Sequence, residues 1–170
     1  MKKLFIIILA MVTTIACCND GKYRETRGND TVVGVSDEDK EMNAIIDAAR
    51  NTVGDFIKVL ENPKPNQTDF SVKYPFPTDK GSPVEIEHIW LMNIEENKGI
   101  YSGLVANDPF HIKEMEFGDK VEFDIKKISD WKYVEDSYLV GGESIVYFYK
   151  QMTPDEKKAF PEQTGFKIRE

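Results

Sequence analysis

The chain is poor in the residues that build reactive centres. Its 170 residues include two cysteines, the adjacent Cys17 and Cys18, and two histidines, His88 and His111. That composition excludes a Cys/His zinc cage and a framework of several disulfides. Positive charge is also scarce, since 22 Lys and Arg stand against 30 Asp and Glu for a formal net charge of −8. Nucleic-acid backbones are held by Lys and Arg clustered on one face; no such cluster occurs, so no nucleic-acid partner is expected. There is no G-x-S-x-G elbow, no G-x-x-x-x-G-K-[ST] loop and no G-x-G-x-x-G fingerprint, which removes the motif-borne routes to serine hydrolysis and phosphate cradling. A long uncharged apolar run is found in one place, the N-terminus.

There Lys2 and Lys3 precede an apolar run from Leu4 to Ile15, followed by Ala16 and Cys17. A helix needs ~20 residues to cross a hydrocarbon core, so this shorter run reads as a secretory signal over residues 1–16. The ending Thr14-Ile15-Ala16-Cys17 resembles the lipobox of bacterial lipoproteins, with Thr14 in place of the usual Leu. That resemblance implies cleavage before Cys17 and acylation of its thiol, with no role for Cys18. The expected partner is then the lipid bilayer, and the expected location the bacterial cell envelope, facing the periplasm or the cell exterior. Residues 17–35, polar and glycine-containing with no sustained period, read as a flexible tether.

A single domain is expected over 36–161, with a tail over 162–170. Ser36 and Asp39 are spaced as a capping box. Met42, Ile45, Ile46, Ala49, Val53, Phe56, Ile57 and Leu60 then form one stripe of a long helix, stopped by Asn62-Pro63-Lys64-Pro65. Phe70, Val72, Tyr74 and Phe76 alternate as a strand. In a second strand Val84, Ile86, His88, Trp90, Met92 and Ile94 share the predicted core face, opposite Glu85, Glu87, Ile89, Leu91 and Asn93. A third strand covers Ile100 to Ala106, with a bulge or close backbone approach at Gly103. Short strands are expected at Phe110 to Lys113 and around Val121, Phe123 and Ile125. The spacing of Ile145, Val146, Phe148, Tyr149 and Met152 predicts a helix, with a strand over 144–149 as its alternative. Thr153-Pro154-Asp155-Glu156 opens a last short helix ending at Pro161. The fold class is α+β: a long N-terminal helix packed on a curled antiparallel sheet or partly open barrel, followed by short C-terminal helices.

Phe70-Ser71-Val72-Lys73, Glu87-His88-Ile89-Trp90-Leu91, Gly103 to Pro109, Gly118-Asp119-Lys120-Val121, Asp130-Trp131 and Gly141-Gly142 occur in an order that resembles the YegJ-like family of bacterial proteins, a domain of unknown function. The resemblance covers about residues 38–160. It implies a small α+β domain and brings no catalytic residue with it.

The candidate ligand-facing residues are His88, Trp90, Gly103, Asn107, Asp130 and Trp131. His88 titrates near neutrality when unperturbed, and Trp131 offers a large face with a donor at its edge. Gly103 and the Asn107-Asp108-Pro109 turn are places where backbone can approach another molecule. Each has a packing alternative: a hydrogen-bonded histidine, a turn acceptor, a tryptophan buried against the sheet. Glu85, Glu87, Glu122 and Asp124 read as solvated strand faces rather than as an acid pair or calcium ligands. No catalytic residue, metal or cofactor is assigned. The function expected is a non-enzymatic binding or interaction module on a membrane surface, for a protein or small-molecule partner. The alternative is a small hydrolase-like enzyme using an acid with His88, for which His88, Asp130 and Glu85 or Glu87 would have to meet in a cleft.

Overall fold

The computed structural model of the protein describes residues 22–27, 30–35 and 39–169. Cys17, Cys18, the signal segment and Ser36 lie outside them. Strands β1 (Lys22–Arg27) and β2 (Asp30–Val35) pair antiparallel, from Lys22 opposite Val35 to Arg27 opposite Asp30. The stretch read as a flexible tether therefore carries a hairpin. Its β-branched residues Thr31, Val32, Val33 and Val35 favour extended backbone.

Helix α1 spans Lys40–Glu61. Its cap is Asp39, whose Oδ1 accepts the backbone N–H groups of Glu41 at 3.0 Å and Met42 at 2.9 Å, placing a carboxylate on the positive end of the helix. Six strands follow: β3 (Gln67–Pro77), β4 (Ile86–Asn97), β5 (Ile100–Val105), β6 (Lys120–Phe123), β7 (Asp130–Glu135) and β8 (Tyr138–Gly141). They form one antiparallel sheet in the order β6-β5-β4-β3-β7-β8. β6 and β8 are its edges, so the antiparallel sheet is not closed.

Two expected strands differ. Phe110 to Lys113 belongs to the loop between β5 and β6, pinned by carboxylates: Glu87 accepts the N–H groups of Phe110 and His111, both at 2.8 Å, and Asp79 accepts that of Lys113 at 3.1 Å. The third alternating stretch stops at Phe123, and Ile125–Lys127 form a short 3-10 turn. Strands β7 and β8 were not anticipated. Asp136 and Ser137 between them have φ of 52° and 68°, the left-handed pair that a tight hairpin needs.

The core lies on the α1 side of the sheet. Phe56, fully buried on the helix, joins Val72, Ile89, Leu91, Val105, Phe123, Ile128 and Tyr133, with Phe70, Tyr74 and Trp131 packed around them. The face expected for β4 is thereby reversed, because Glu87, Ile89 and Leu91 point into the core and His88 and Trp90 point away. A bulge explains the misreading. Pairing with β5 shifts register between Met92 and Glu95, where Asn93 has φ 51°, so Ile94 reaches the core while Trp90 and Met92 do not. Gly103 lies against that bulge: a Cβ on it would meet Ile94 Cδ1 at 2.9 Å and the Met92 carbonyl at 3.2 Å. The close approach expected at Gly103 is present, with the bulge on its neighbour β4.

Helices α2 (Glu143–Lys150) and α3 (Pro154–Thr164) complete the fold. α3 has the predicted capping box but continues past Pro161. The expected tail is part of the folded unit: Phe166 is buried with Val134, Leu139 and Phe160, and Lys167 exchanges 2.8 Å backbone bonds with Ser137 and Leu139.

Candidate functional site

The far side of the sheet, away from α1, gathers an unusual set of charges at its centre. Strand register places Lys73 of β3 directly between Trp90 of β4 and Asp130 of β7, and Ser71 between Met92 and Lys132. Because side chains alternate along a strand, all of these share one face. The helices reach the sheet chiefly at β7. Trp90, Met92 and Lys73 remain half-buried, and His88 is exposed.

Trp90 is the hub of the group. Lys73 Nζ and Lys132 Nζ each lie 5.7 Å from the centre of its ring, within cation–π range. Lys132 is only 5% exposed, with its Nζ 5.5 Å from the Phe166 ring and 3.5 Å from the Asp69 carbonyl oxygen. That carbonyl is turned by a second bulge, between Thr68 and Ser71, where Asp69 has φ 55°. Burial pushes the pKa of both lysines down; the charge of Asp130 opposes this at Lys73, and those of Asp69 and, less strongly, Asp130 oppose it at Lys132. Among the described residues neither lysine has a carboxylate within 4.0 Å.

Asp130, 1% exposed, is already engaged. Its Oδ2 accepts from Ser144 N at 2.9 Å and Ser144 Oγ at 2.6 Å, and its Oδ1 from Trp131 N at 2.8 Å. Burial raises its pKa, against the Ser144 bonds and the Lys73 charge. His88 Nδ1 lies 2.7 Å from Ser129 Oγ, which also donates to the Lys73 carbonyl at 3.2 Å. Although part of His88 remains exposed, desolvation of its ring, with the charges of Lys73 and Arg50, lowers its pKa to about 4, so the imidazole is neutral at pH 7. Two ammonium ions thus stand under the charges of two carboxylates, Asp130 acting on both lysines and Asp69 on Lys132.

Of the six candidates, the structure brings together His88, Trp90 and Asp130. Asn107 supports them from behind, its Oδ1 accepting the backbone N–H of Trp90 at 3.2 Å. Gly103 belongs to the packing of β5 on β4. Trp131 lies on the opposite face, its ring centre 5.5 Å from that of Phe56 and its Nε1 donating to Thr52 Oγ1 at 3.0 Å; it packs, partly buried, against the core and is not part of the far face. The acid–histidine cleft is not assembled: Asp130 is bound to Ser144, Glu87 faces the core, and His88 meets Ser129. Lys73 and Lys132 are the residues that sequence reasoning missed. The available signal was Lys73 sitting among the aromatic alternation of a strand whose neighbours are themselves strands.

Among the described residues no three His, Cys, Asp or Glu side chains form a metal-binding group, and no helix is long and apolar enough to cross a membrane. Residues 39–168 match the family described as an uncharacterized protein conserved in bacteria, DUF2314. The chain belongs to this family. Among the relatives of this DUF2314 protein is the uncharacterized protein YegJ of Escherichia coli (strain K12), 31% identical over 134 residues that span 77% of this chain and 84% of the relative. A putative ankyrin repeat protein of Neisseria meningitidis serogroup B is 28% identical over 134 residues, 76% of this chain but 53% of the relative. Here the domain corresponds to about half of a longer protein. No solved structure matches.

Proposed function

We propose that this DUF2314 protein is a non-enzymatic binding module, held at the bacterial envelope by a lipid on Cys17, whose ligand meets the far face of the sheet around Lys73, Trp90 and Lys132. The observation that carries the reading is the pair of ammonium ions sharing one tryptophan ring without a carboxylate neighbour of their own. A desolvated charge without a close partner costs stability. Residues kept at such a cost on a partly open face are the usual mark of a recognition site. Hydrolysis by an acid with His88 has less support, since the two groups it needs are each bound to a different serine. The anchor is supported by the sequence alone, through Ala16-Cys17 at the end of a short apolar run.

Two measurements test the reading. Cys17→Ala is expected to leave the chain unprocessed or to release it into the soluble fraction, while Cys18→Ala changes nothing; membrane retention of the Cys17 variant overturns the anchor. For binding, immobilised full-length protein is exposed to envelope extract of a bacterium that makes it. Species retained by the parent and lost by both Lys73→Met and Trp90→Ala support the far face as the ligand site. Equal retention by all three proteins overturns it.

A further inference from the structure

Resting on that binding reading, we propose that the group recognised on the ligand is a single carboxylate, received by Lys73 with Lys132 behind it and the rest of the ligand lying on Trp90. Charge sets the valence. Asp69 and Asp130 both bear on Lys132, whereas Lys73 has Asp130 alone, and Asp130 is already held by three donors from Trp131 and Ser144. The half-buried Lys73 ammonium, with no carboxylate within 4.0 Å among the described residues, presents a single charge that one carboxylate matches and a phosphate dianion would overshoot.

Donor geometry leads the same way. Among the described residues neither Lys73 Nζ nor Trp90 Nε1 donates a hydrogen bond, so two donors on adjacent strands remain for an acceptor. Among the described residues no forked guanidinium or run of backbone N–H groups faces this point to grip the several oxygens of a phosphate, and a lysine offers a point charge. The guanidinium whose charge bears on His88, that of Arg50, spends Nε on the Ile128 carbonyl at 3.1 Å. Lys132 is too buried to be a direct contact and acts through its field. Trp90 supplies the platform: its ring is half-buried, and Met92 and Leu104, paired across β4 and β5, extend the same face with apolar side chains. A carboxylate attached to a flat or apolar body fits both parts, whereas a free inorganic anion uses only the first.

The test follows the Trp90 indole N–H resonance in full-length protein in detergent micelles, assigned by its loss in Trp90→Phe. Benzoate, acetate and inorganic phosphate are titrated separately. Benzoate is expected to move the resonance saturably, with acetate weaker and phosphate weaker than benzoate by about tenfold or more, a gap of ~1.4 kcal/mol. Lys73→Met should abolish the response. Lys132→Met should weaken it by about tenfold without lowering the thermal midpoint, because an apolar chain of similar volume replaces a buried cation. The proposal is overturned if phosphate binds as tightly as benzoate, if the lysine variants respond like the parent, or if no carboxylate moves the resonance. In the last case, envelope capture that still depends on Lys73 and Trp90 leaves the binding module standing and removes only the carboxylate; loss of both removes both.

Discussion

His88 is the titrating residue whose state matters most at ordinary pH. Its folded pKa of about 4 lies below the ordinary 6.5, so the unfolded chain binds the proton more readily. Linkage then fixes the sign: the His88 contribution to stability is complete above pH ~6.5 and is lost as pH falls toward ~4. Thermal midpoints measured across that window should drop in the parent and drop less in His88→Gln; parallel curves would show that the imidazole titrates freely. Glu87 shows how a misassigned face changes a residue's meaning. Only 7% exposed, it accepts two loop N–H groups with its two oxygens. Glu87→Gln turns one acceptor into a donor facing a donor, and should cost ~1–3 kcal/mol in urea unfolding. His88, Trp90 and Asp130 were legible as candidates because their residue types are uncommon on strands without a reason. Lys73 and Lys132 were not, because a lysine in a strand reads as solvated until the neighbouring strands are known.

Among the elements, α1 was the most legible, since its apolar stripe is set by local periodicity and its stop by proline. Phe56 is fully buried and packs against Phe70 and Trp131 at ring separations of 6.1 and 5.5 Å. Phe56→Ala should cost ~3–5 kcal/mol, and a melting temperature within a degree or two of the parent would show that the helix does not dock there. Strand β4 was found but turned over, because the bulge at Asn93 inverts the parity of everything after it. Strands β7 and β8 went unread because Lys132, Glu135 and Asp136 break their apolar pattern, and their burial depends on β3 and on the C-terminal segment. The turn into α2 is more constrained than its Gly-Gly sequence alone conveys. Gly141 has φ +69°, and a Cβ there would fall on the Trp131 carbonyl and ring. Gly141→Ala should therefore destabilise the protein by more than the ~1 kcal/mol of an ordinary glycine substitution, both through φ and through the clash. A change inside that range would show that the turn can shift.

At the scale of the whole molecule, the order β6-β5-β4-β3-β7-β8 joins two blocks of different sequence range. β3 to β6 follow one another as a meander of neighbours, whereas β7 must find β3 across the whole of that meander. The charged group straddles this join: Lys73 and Trp90 belong to the first block, Asp130 and Lys132 to the second. Contacts that close long loops carry a larger entropic cost than those between neighbours in a meander and slow folding. The β3–β7 boundary is thus a seam, and the proposed recognition surface exists only while the seam is zipped. A ligand held by Lys73 under the field of Lys132 binds the zipped form alone, so its free energy of binding goes into the seam by mass action. In hydrogen exchange, a saturating ligand should slow the amides of Lys132 and Val134, which the register sets opposite Ser71 and Thr68 of β3, while leaving those of Leu91 and Val105 nearly unchanged. The molecule would then work as a clasp, reporting occupancy through the tightness of a single strand junction.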